Sequence, residues 1–546
     1  MRWVPLHYAR FASSKFDNII PAYTVGVYKE GNYVVTVDGK TKEVIARSTD
    51  HAEVLRIAKN YVASKGRGTL YVRGGKYYIN SSVTPKDKVK VVADVDAEFM
   101  ITVPLLYLAT GESVSDFVWE GGKVVDTSDT GTRWMFIRGQ ATRFVLRNVS
   151  FIGVSESEGV RFDKADGVLI ERCYFEARGN ALMAIGGSGF VVRGCTFDGD
   201  RVLGAGFISN GLYLSNVRNV LVEGNVFRGH GHNGVFSSGG GPGYIIVGNW
   251  FEDCADGIDI NGVEYVTIGY NVFYNVGTGG DAAVGIESAT KYVTVIGNVI
   301  YSDNANLKAI AIWGTSSEYA ENVSVIGNIV NSTINLAARA IDLSRAKKVV
   351  IAGNVFRHTT PGGTMYGIKI RNDADEVLIE GNYINFIGDG GSDPWNSSKN
   401  TIRVEAGSNI YIRNNVISGA WARQPPFIAV VGGSNVRIED NWIEDLVSVN
   451  GILPIRADVP VVIRRNTGYP TEAFGVATFS GDGATTQFKV EHGLVKAPSK
   501  VIVTPMSADA KDFSYAEADD TYIYFNFSTA PPSGTDNVKL AWTAEV

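Results

Sequence analysis

Three carboxylates recur at the same place in a short strand pattern. Asp259 stands in Gly257-Ile258-Asp259-Ile260, Glu287 in Gly285-Ile286-Glu287-Ser288 and Asp342 in Ala340-Ile341-Asp342-Leu343. Period-two alternation turns the isoleucines inward and the acids outward. Asp and Glu are poor strand formers, so their repetition asks for a chemical reason. Two carboxyl groups on neighbouring strands, about 5 Å apart, repel each other's charge, so one keeps its proton while the other ionises. That division suits acid–base cleavage of a glycosidic bond, at about 5 Å for a retaining enzyme and about 6.5–9.5 Å for an inverting one. Asp259 and Glu287 fit the first spacing as occupants of adjacent strands. Glu287 and Asp342, two strands apart, fit the second, so the stereochemistry stays open.

The same alignment supplies the neighbours of these acids. The outward column reads Tyr213, Phe236, Asp259, Glu287, Ala311, Asp342, Lys369 and Arg403. Two residues further along come Ser215, Ser238, Asn261, Trp313, Arg371 and Glu405. Tyr213, Phe236 and Trp313 offer flat surfaces to sugar rings, and Lys369, Arg371 and Arg403 offer charge to acidic sugars. His230 and His232 precede the strand Gly234–Ser237 and are candidates to reach the same groove. A lyase would use the residues differently, with Asp259, Glu287 and Asp342 holding Ca²⁺ against a uronate and Lys369 or Arg403 as base. A mixed polar face is also what any solvated sheet presents.

What positions these columns is a repeated phrase. Val-Leu-Val-Glu-Gly-Asn-Val-Phe at Val220–Phe227 returns as Tyr-Ile-Ile-Val-Gly-Asn-Trp-Phe at Tyr244–Phe251 and Val-Leu-Ile-Glu-Gly-Asn-Tyr-Ile at Val377–Ile384. Its Asn slot is filled by Asn148, Cys173, Cys195, Asn225, Asn249, Asn271, Asn298, Asn328, Asn354, Asn382, Asn415, Asn441 and Asn466. A repeat of roughly 26 residues indicates a solenoid. Short alternating apolar runs between Gly, Asn and Asp turns, with no helix-length stretch, predict three strands per coil: a parallel β-helix. An Asn stacked in each turn satisfies buried backbone groups and tolerates a left-handed backbone. Cys173 and Cys195 read as small buried hydrophobes in that stack.

Residues 1–47 read as a small separate β unit with hairpin turns at Glu30-Gly31-Asn32 and Asp38-Gly39-Lys40, its first twenty residues, without a clear period, reading as an anchoring arm. Residues 48–67 hold a helix over Asp50–Lys65, with Asp50 as N-cap, Glu53 closing a capping box and Val54, Leu55, Ala58, Tyr61 and Val62 on one face. It is placed to cover the solenoid's open end. Coils occupy 68–472, irregular to about residue 140 with an excursion at Leu105–Ser115. Residues 473–546 form a small antiparallel β-sandwich.

The chain resembles the pectin-lyase-like superfamily through its Gly-Asn-Val-Phe coils. Within it, the layout of short N-terminal unit, helix, coils opening at Gly68-Thr69-Leu70-Tyr71-Val72 and terminal β domain is similar to viral tailspikes. That resemblance implies a homotrimer at the virion surface or outside the cell, joined to a virion tail or capsid through its N-terminal segment, that binds and often cleaves cell-surface polysaccharide. Asp256-Gly257-Ile258-Asp259 also resembles the Asp-Gly-x-Asp strand of polygalacturonases, though Cys254 and Ala255 replace the expected Asn and Thr, and Gly229-His230-Gly231 lies upstream rather than downstream. The net charge of −6 and the lack of a basic stripe argue against a nucleic-acid partner. No run is long enough to span a membrane, and three cysteines without paired spacing give no metal site. The expected fold is all-β, a right-handed parallel β-helix with a capping helix and a terminal sandwich. The expected activity is hydrolysis through Asp259 and Glu287 with Asp342 or Asp256 in support, without a cofactor (Ca²⁺ for a lyase). A non-catalytic fibre or adhesin is the competing class.

Overall fold

The computed structural model describes residues 23–103, 106–107, 112–127, 135–153, 158–176, 179–199, 209–277, 282–302, 308–333, 338–358, 365–386, 400–419, 427–444 and 453–546. The N-terminal arm and residues 105 and 108–111 of the expected excursion at Leu105–Ser115 lie outside them. The chain forms two compact units, Met1–Val191 and Val192–Val546.

In the first unit, Val25–Glu30, Tyr33–Asp38 and Val44–Ser48 make an antiparallel meander. Val25–Val27 also pairs in parallel with Leu70–Val72, so the meander continues into the first coil instead of standing apart. The helix spans His51–Ser64, and Asp50 caps it by accepting the Glu53 N–H. Ser48 Oγ, between the Asp50 N–H and the Glu53 carboxylate, completes the cap. The buried face carries Val54, Leu55, Ala58 and Val62, while Tyr61 sits at its edge and donates to Asp38 at 2.8 Å. Leu55 and Lys59 close over an apolar cavity of about 30 Å³ walled by Leu70, Val72, Phe99 and Trp119. Lys59 is buried there with its ammonium on the Thr84 carbonyl, and burial lowers its pKa to about 8. The helix therefore shuts the apolar end of the coils. Parallel ladders then run from Gly68–Val72 to Val89–Ala93 and Val118–Glu120, and from Gly75–Ile79 to Ala97–Ile101 and Lys123–Asp126.

In the second unit every coil adds three strands. One set includes Asp256–Asn261 and Ala282–Glu287, the next Glu264–Gly269 and Lys291–Ile296, the third Val272–Tyr274 and Val299–Ser302, each pairing in parallel with its counterpart one coil on. Asn ladders lock the turn between the second and third strands. Asn249 Nδ2 donates to Asn271 Oδ1 at 2.9 Å and to the Val222 carbonyl at 3.0 Å, and Asn271 Oδ1 also accepts the Asn249 N–H. The pattern repeats through Asn298, Asn328, Asn354, Asn382, Asn415 and Asn441 to Asn466. At the other end Cys195 takes the slot, its N–H donating to Asn225 Oδ1, and all three cysteines are buried thiols.

Two details differ from the expectation. The left-handed residue is the one before the Asn, as at Gly224 (φ 62°) and Gly297 (φ 64°). The ladder position can thus keep ordinary backbone and turn its amide inward. By the same rule Asn148, exposed at φ 56°, is the left-handed residue of its coil, and buried Val149 takes the interior slot. Beside the ladder, Phe197, Phe227, Phe251 and Phe273 stack with centroids 4.7, 5.0 and 4.8 Å apart. Burying each ring contributes about 1.5–3 kcal/mol.

After Asn466 the coils end. Glu472–Gly481, Gly534–Glu545 and Lys500–Pro505 form one antiparallel sheet, and Gln487–Glu491, Tyr522–Phe527 and Phe513–Ala518 another. They share a core of Ile523, Phe525, Val538, Leu540 and Trp542, the expected sandwich.

Candidate functional site

The first strands of four successive coils, Asn233–Ser238, Asp256–Asn261, Ala282–Glu287 and Lys308–Trp313, stack in parallel. Val235, Ile258, Val284 and Ile310 align along the interior, as do Ile260, Ile286 and Ile312. This inward packing fixes the register, and the register corrects the expected column. Phe236 lies opposite Asp259, but Asp259 lies opposite Gly285, not Glu287. Glu287 sits two residues on, between Asn261 and Trp313. A slip of two residues keeps every side chain on its face, so alternation could not reveal it.

The corrected register still brings the two acids together. A side chain at Gly285 would begin 3.4 Å from Asp259 Oδ1. Its absence opens a cleft of about 200 Å³ whose walls include His232, Asp256, Asp259, Glu287 and Trp313. One strand apart and two residues along, Asp259 and Glu287 are separated by about 8 Å at the backbone, not about 5 Å. Asp256 is buried in the cleft wall beside Asn233, its N–H donating to the His232 carbonyl at 2.9 Å. His232 is held by Asn233 Nδ2, which donates to its Nδ1 at 2.6 Å, and by an edge contact to Phe236 with centroids 6.1 Å apart. The Lys308 ammonium sits 4.4 Å over the Trp313 ring. Trp313 Nε1 has no hydrogen-bond partner among the described residues. Tyr213 and Phe236 extend the same column as a tilted pair with centroids 5.5 Å apart, and Tyr213 shares a hydrogen bond with Ser238 at 3.2 Å.

The remaining expected residues are in register but engaged elsewhere. Asp342, fully buried, pairs with Lys369 in the ladder and receives Arg339 at 2.5 Å and two Arg371 nitrogens at 3.1–3.2 Å. Lys369 and Arg403 converge on Glu405 at 3.0 and 2.8 Å, and Arg403 also donates to Asn400 at 2.9 Å. Burial would raise the Glu405 pKa, but hydrogen bonds from Arg403 and Lys369 outweigh it and hold the carboxyl below its usual range. His230 does not reach the groove. It is 1% exposed inside the cylinder, its Nε2 3.3 Å from the Phe197 carbonyl, and burial drops its pKa to about 4. Residues 229–232 are a turn outside the strand, so the alternation does not carry back to His230, whose ring faces the interior.

Sequence reasoning missed Gly285 and Arg339. Glycine at an outward strand position signals a close approach or an opening, and that was the available clue. Arg339 follows Lys308 in the ladder, a column that becomes visible only with the register.

The sequence matches the family model for the right handed beta helix region over residues 135–300 and 308–504. No curated protein matches it. Among solved structures, the Dettilon tailspike is similar at 13% identity, covering 90% of each chain with a TM-score of 0.37. The tailspike of E. coli bacteriophage HK620, in complex with a pentasaccharide, is similar at 14% identity over 90% of this chain and 89% of that one, with a TM-score of 0.44. PfbA, a surface adhesin of Streptococcus pneumoniae, is similar at 14% identity over 64% of this chain and 88% of that one, with a TM-score of 0.42. No helix among the described residues is long and apolar enough to cross a membrane. With more than half of its length matched by that model and its strands laddered coil on coil, the chain belongs to the right-handed β-helix family.

Proposed function

We propose that this chain is a tailspike-like, glycan-binding β-helix that hydrolyses a cell-surface polysaccharide at internal linkages. The observation that carries the reading is the cleft in which Asp259, Glu287, Asp256, His232 and Trp313 meet across adjacent coils. With Asp259 and Glu287 set diagonally on adjacent strands and not directly opposite, the reading takes them as an inverting pair, in which a water fits between base and sugar. One carboxylic acid donates its proton to the glycosidic oxygen as the bond breaks. The other carboxylate takes a proton from the water that attacks the anomeric carbon from the opposite face. Asp256 and His232 position this pair, Trp313 holds an adjoining sugar, and Tyr213 and Phe236 extend the binding surface. Assembly as a homotrimer on a virion, attached through the N-terminal segment, belongs to the same reading and rests on the resemblance in layout.

The lyase reading has weaker support. It needs Asp342 as a cation ligand and Lys369 or Arg403 as base, but Asp342 faces two guanidiniums, and both basic groups are held by Glu405. A divalent cation would meet positive charge there, so that set does not fit Ca²⁺.

The test is incubation of the protein with polysaccharides isolated from bacterial and archaeal cell surfaces, reading fragment size by gel filtration and the fresh anomer by proton NMR. Shortened fragments with inverted configuration are expected, and the Asp259→Asn and Glu287→Gln variants should yield none. Unsaturated uronate ends would replace this mechanism with elimination. Intact polysaccharide throughout the panel would leave a binding fibre.

A further inference from the structure

The second strand of each coil opens with a left-handed residue. Along the second unit the slot is filled by Asn219, Gly243, Tyr265, Tyr292, Asn322, Lys348, Glu376, Asn409 and Asn435, aligned by the ladders between these strands. Asn and Gly tolerate this backbone best, and a bulky aromatic tolerates it poorly. Tyr265 and Tyr292 nevertheless occupy it in adjacent coils, at φ 58° and 56°. Their rings lie 4.9 Å apart and 8° from parallel, and they are 58% and 47% exposed. Strained backbone that presents paired, solvent-facing rings is the kind of outlier that marks a binding surface.

The rings border a groove of about 560 Å³. Because they stack along the column, the second face of Tyr265 looks toward the preceding coil, where Gly243 contributes no side chain. The next side chain in that direction is Asn219, two coil spacings from Tyr265, or about 9.6 Å. The result is a slot with an aromatic wall, an amide wall and a floor that carries Ile245 and the Thr267 hydroxyl. No described residue lining the groove carries a charge, in contrast to the acidic cleft on the first strands.

We propose that this slot is a second saccharide site, taking one neutral pyranose ring against Tyr265 with its hydroxyls toward Asn219 and Thr267. A slot about 9.6 Å between wall backbones, less the half-thickness of a tyrosine ring, accepts one sugar ring face-on. The missing charge selects a neutral sugar over a uronate. The site lies on different strands from the cleft and works whether or not the cleft is hydrolytic.

The experiment is isothermal titration of the full-length chain with neutral glucose, galactose and mannose hexasaccharides and with a uronate hexasaccharide. Tyr265→Asn with Tyr292→Asn removes both rings and substitutes a residue the backbone favours, so folding is retained. Gly243→Asn keeps both rings and fills the slot. A neutral hexasaccharide should bind the wild type, and both variants should weaken it roughly tenfold or more. Repeated in the Asp259→Asn, Glu287→Gln background, which does not cleave the ligand, the titration should show the same dependence on Tyr265, Tyr292 and Gly243, which separates this site from the cleft. The proposal is overturned if no neutral hexasaccharide binds, or if binding is indifferent to Tyr265, Tyr292 and Gly243. It is also overturned if sedimentation shows that the Tyr→Asn variant dissociates an oligomer, since a second copy of the chain would then cover this face.

Discussion

The same outward face of the β-helix carries acids in two places, and the two are built differently. Around Asp259 and Glu287 the ladder neighbours are a phenylalanine, a glycine, an asparagine and a tryptophan, and both acids border a cleft. Around Asp342 the neighbours are Arg339, Arg371 and Lys369, and the carboxylate is fully buried. Residue types and strand faces are alike; the difference is what the adjacent coils bring. At Asp342 the next coil brings the Arg371 guanidinium to join Arg339 of the same strand, and the paired acid braces the wall. At Asp259 the next coil brings a glycine, and the opening it leaves lets a ligand approach the carboxyl. A column of acids on a solenoid cannot be read as a site until its cross-coil partners are known.

This contrast can be broken by substitution. The largest expected effect is on turnover: Asp259→Asn or Glu287→Gln should each lower polysaccharide cleavage by about 10²–10⁴-fold with the thermal transition unmoved. Equal loss from Asp342→Asn at unchanged stability would erase the distinction. Asp342→Asn should instead act on folding, because it leaves Arg339 and Arg371 facing each other without their anion. A loss of about 3 kcal/mol is expected, read by denaturant unfolding. Trp313→Ala should raise KM about tenfold and leave kcat nearly alone, since the ring holds sugar and transfers no proton. Glu405→Gln should give the smallest effect and a diagnostic pH dependence. The folded-state pKa of Glu405 lies below its ordinary 4.5, so its stabilisation is present above that value and fades as the pH falls through the folded pKa. Wild type should therefore be the more stable at neutral pH, and the gap should close in acid, measured by thermal melts across the range.

Much of the fold was legible because each coil repeats one physical problem, the burial of a turn. The Asn slots from Asn225 to Asn466, the helix cap at Asp50 and the terminal strands all follow from local chemistry that any coil or turn must satisfy. The acidic neighbourhood was legible in outline, since the recurring strand pattern singles out Asp259, Glu287 and Trp313, the Asp-Gly-x-Asp resemblance adds Asp256, and His232 stands just before a strand. Its geometry was not. His230 and His232 are two residues apart and chemically identical, yet one lies inside the cylinder and the other lines the cleft.

The order of residues alone specifies the period, the three-strand coil and which residues of each strand face out, because a side-chain repeat of two admits a single assignment of faces. How far each strand slides along its neighbour was left to packing in three dimensions. A shift of two residues costs nothing in alternation, and the choice at Glu287 came from the packing of Val284 and Ile286 onto Ile258 and Ile260. The same kind of packing brought Arg371 to Asp342 and set Gly285, with the cleft it opens, beside Asp259.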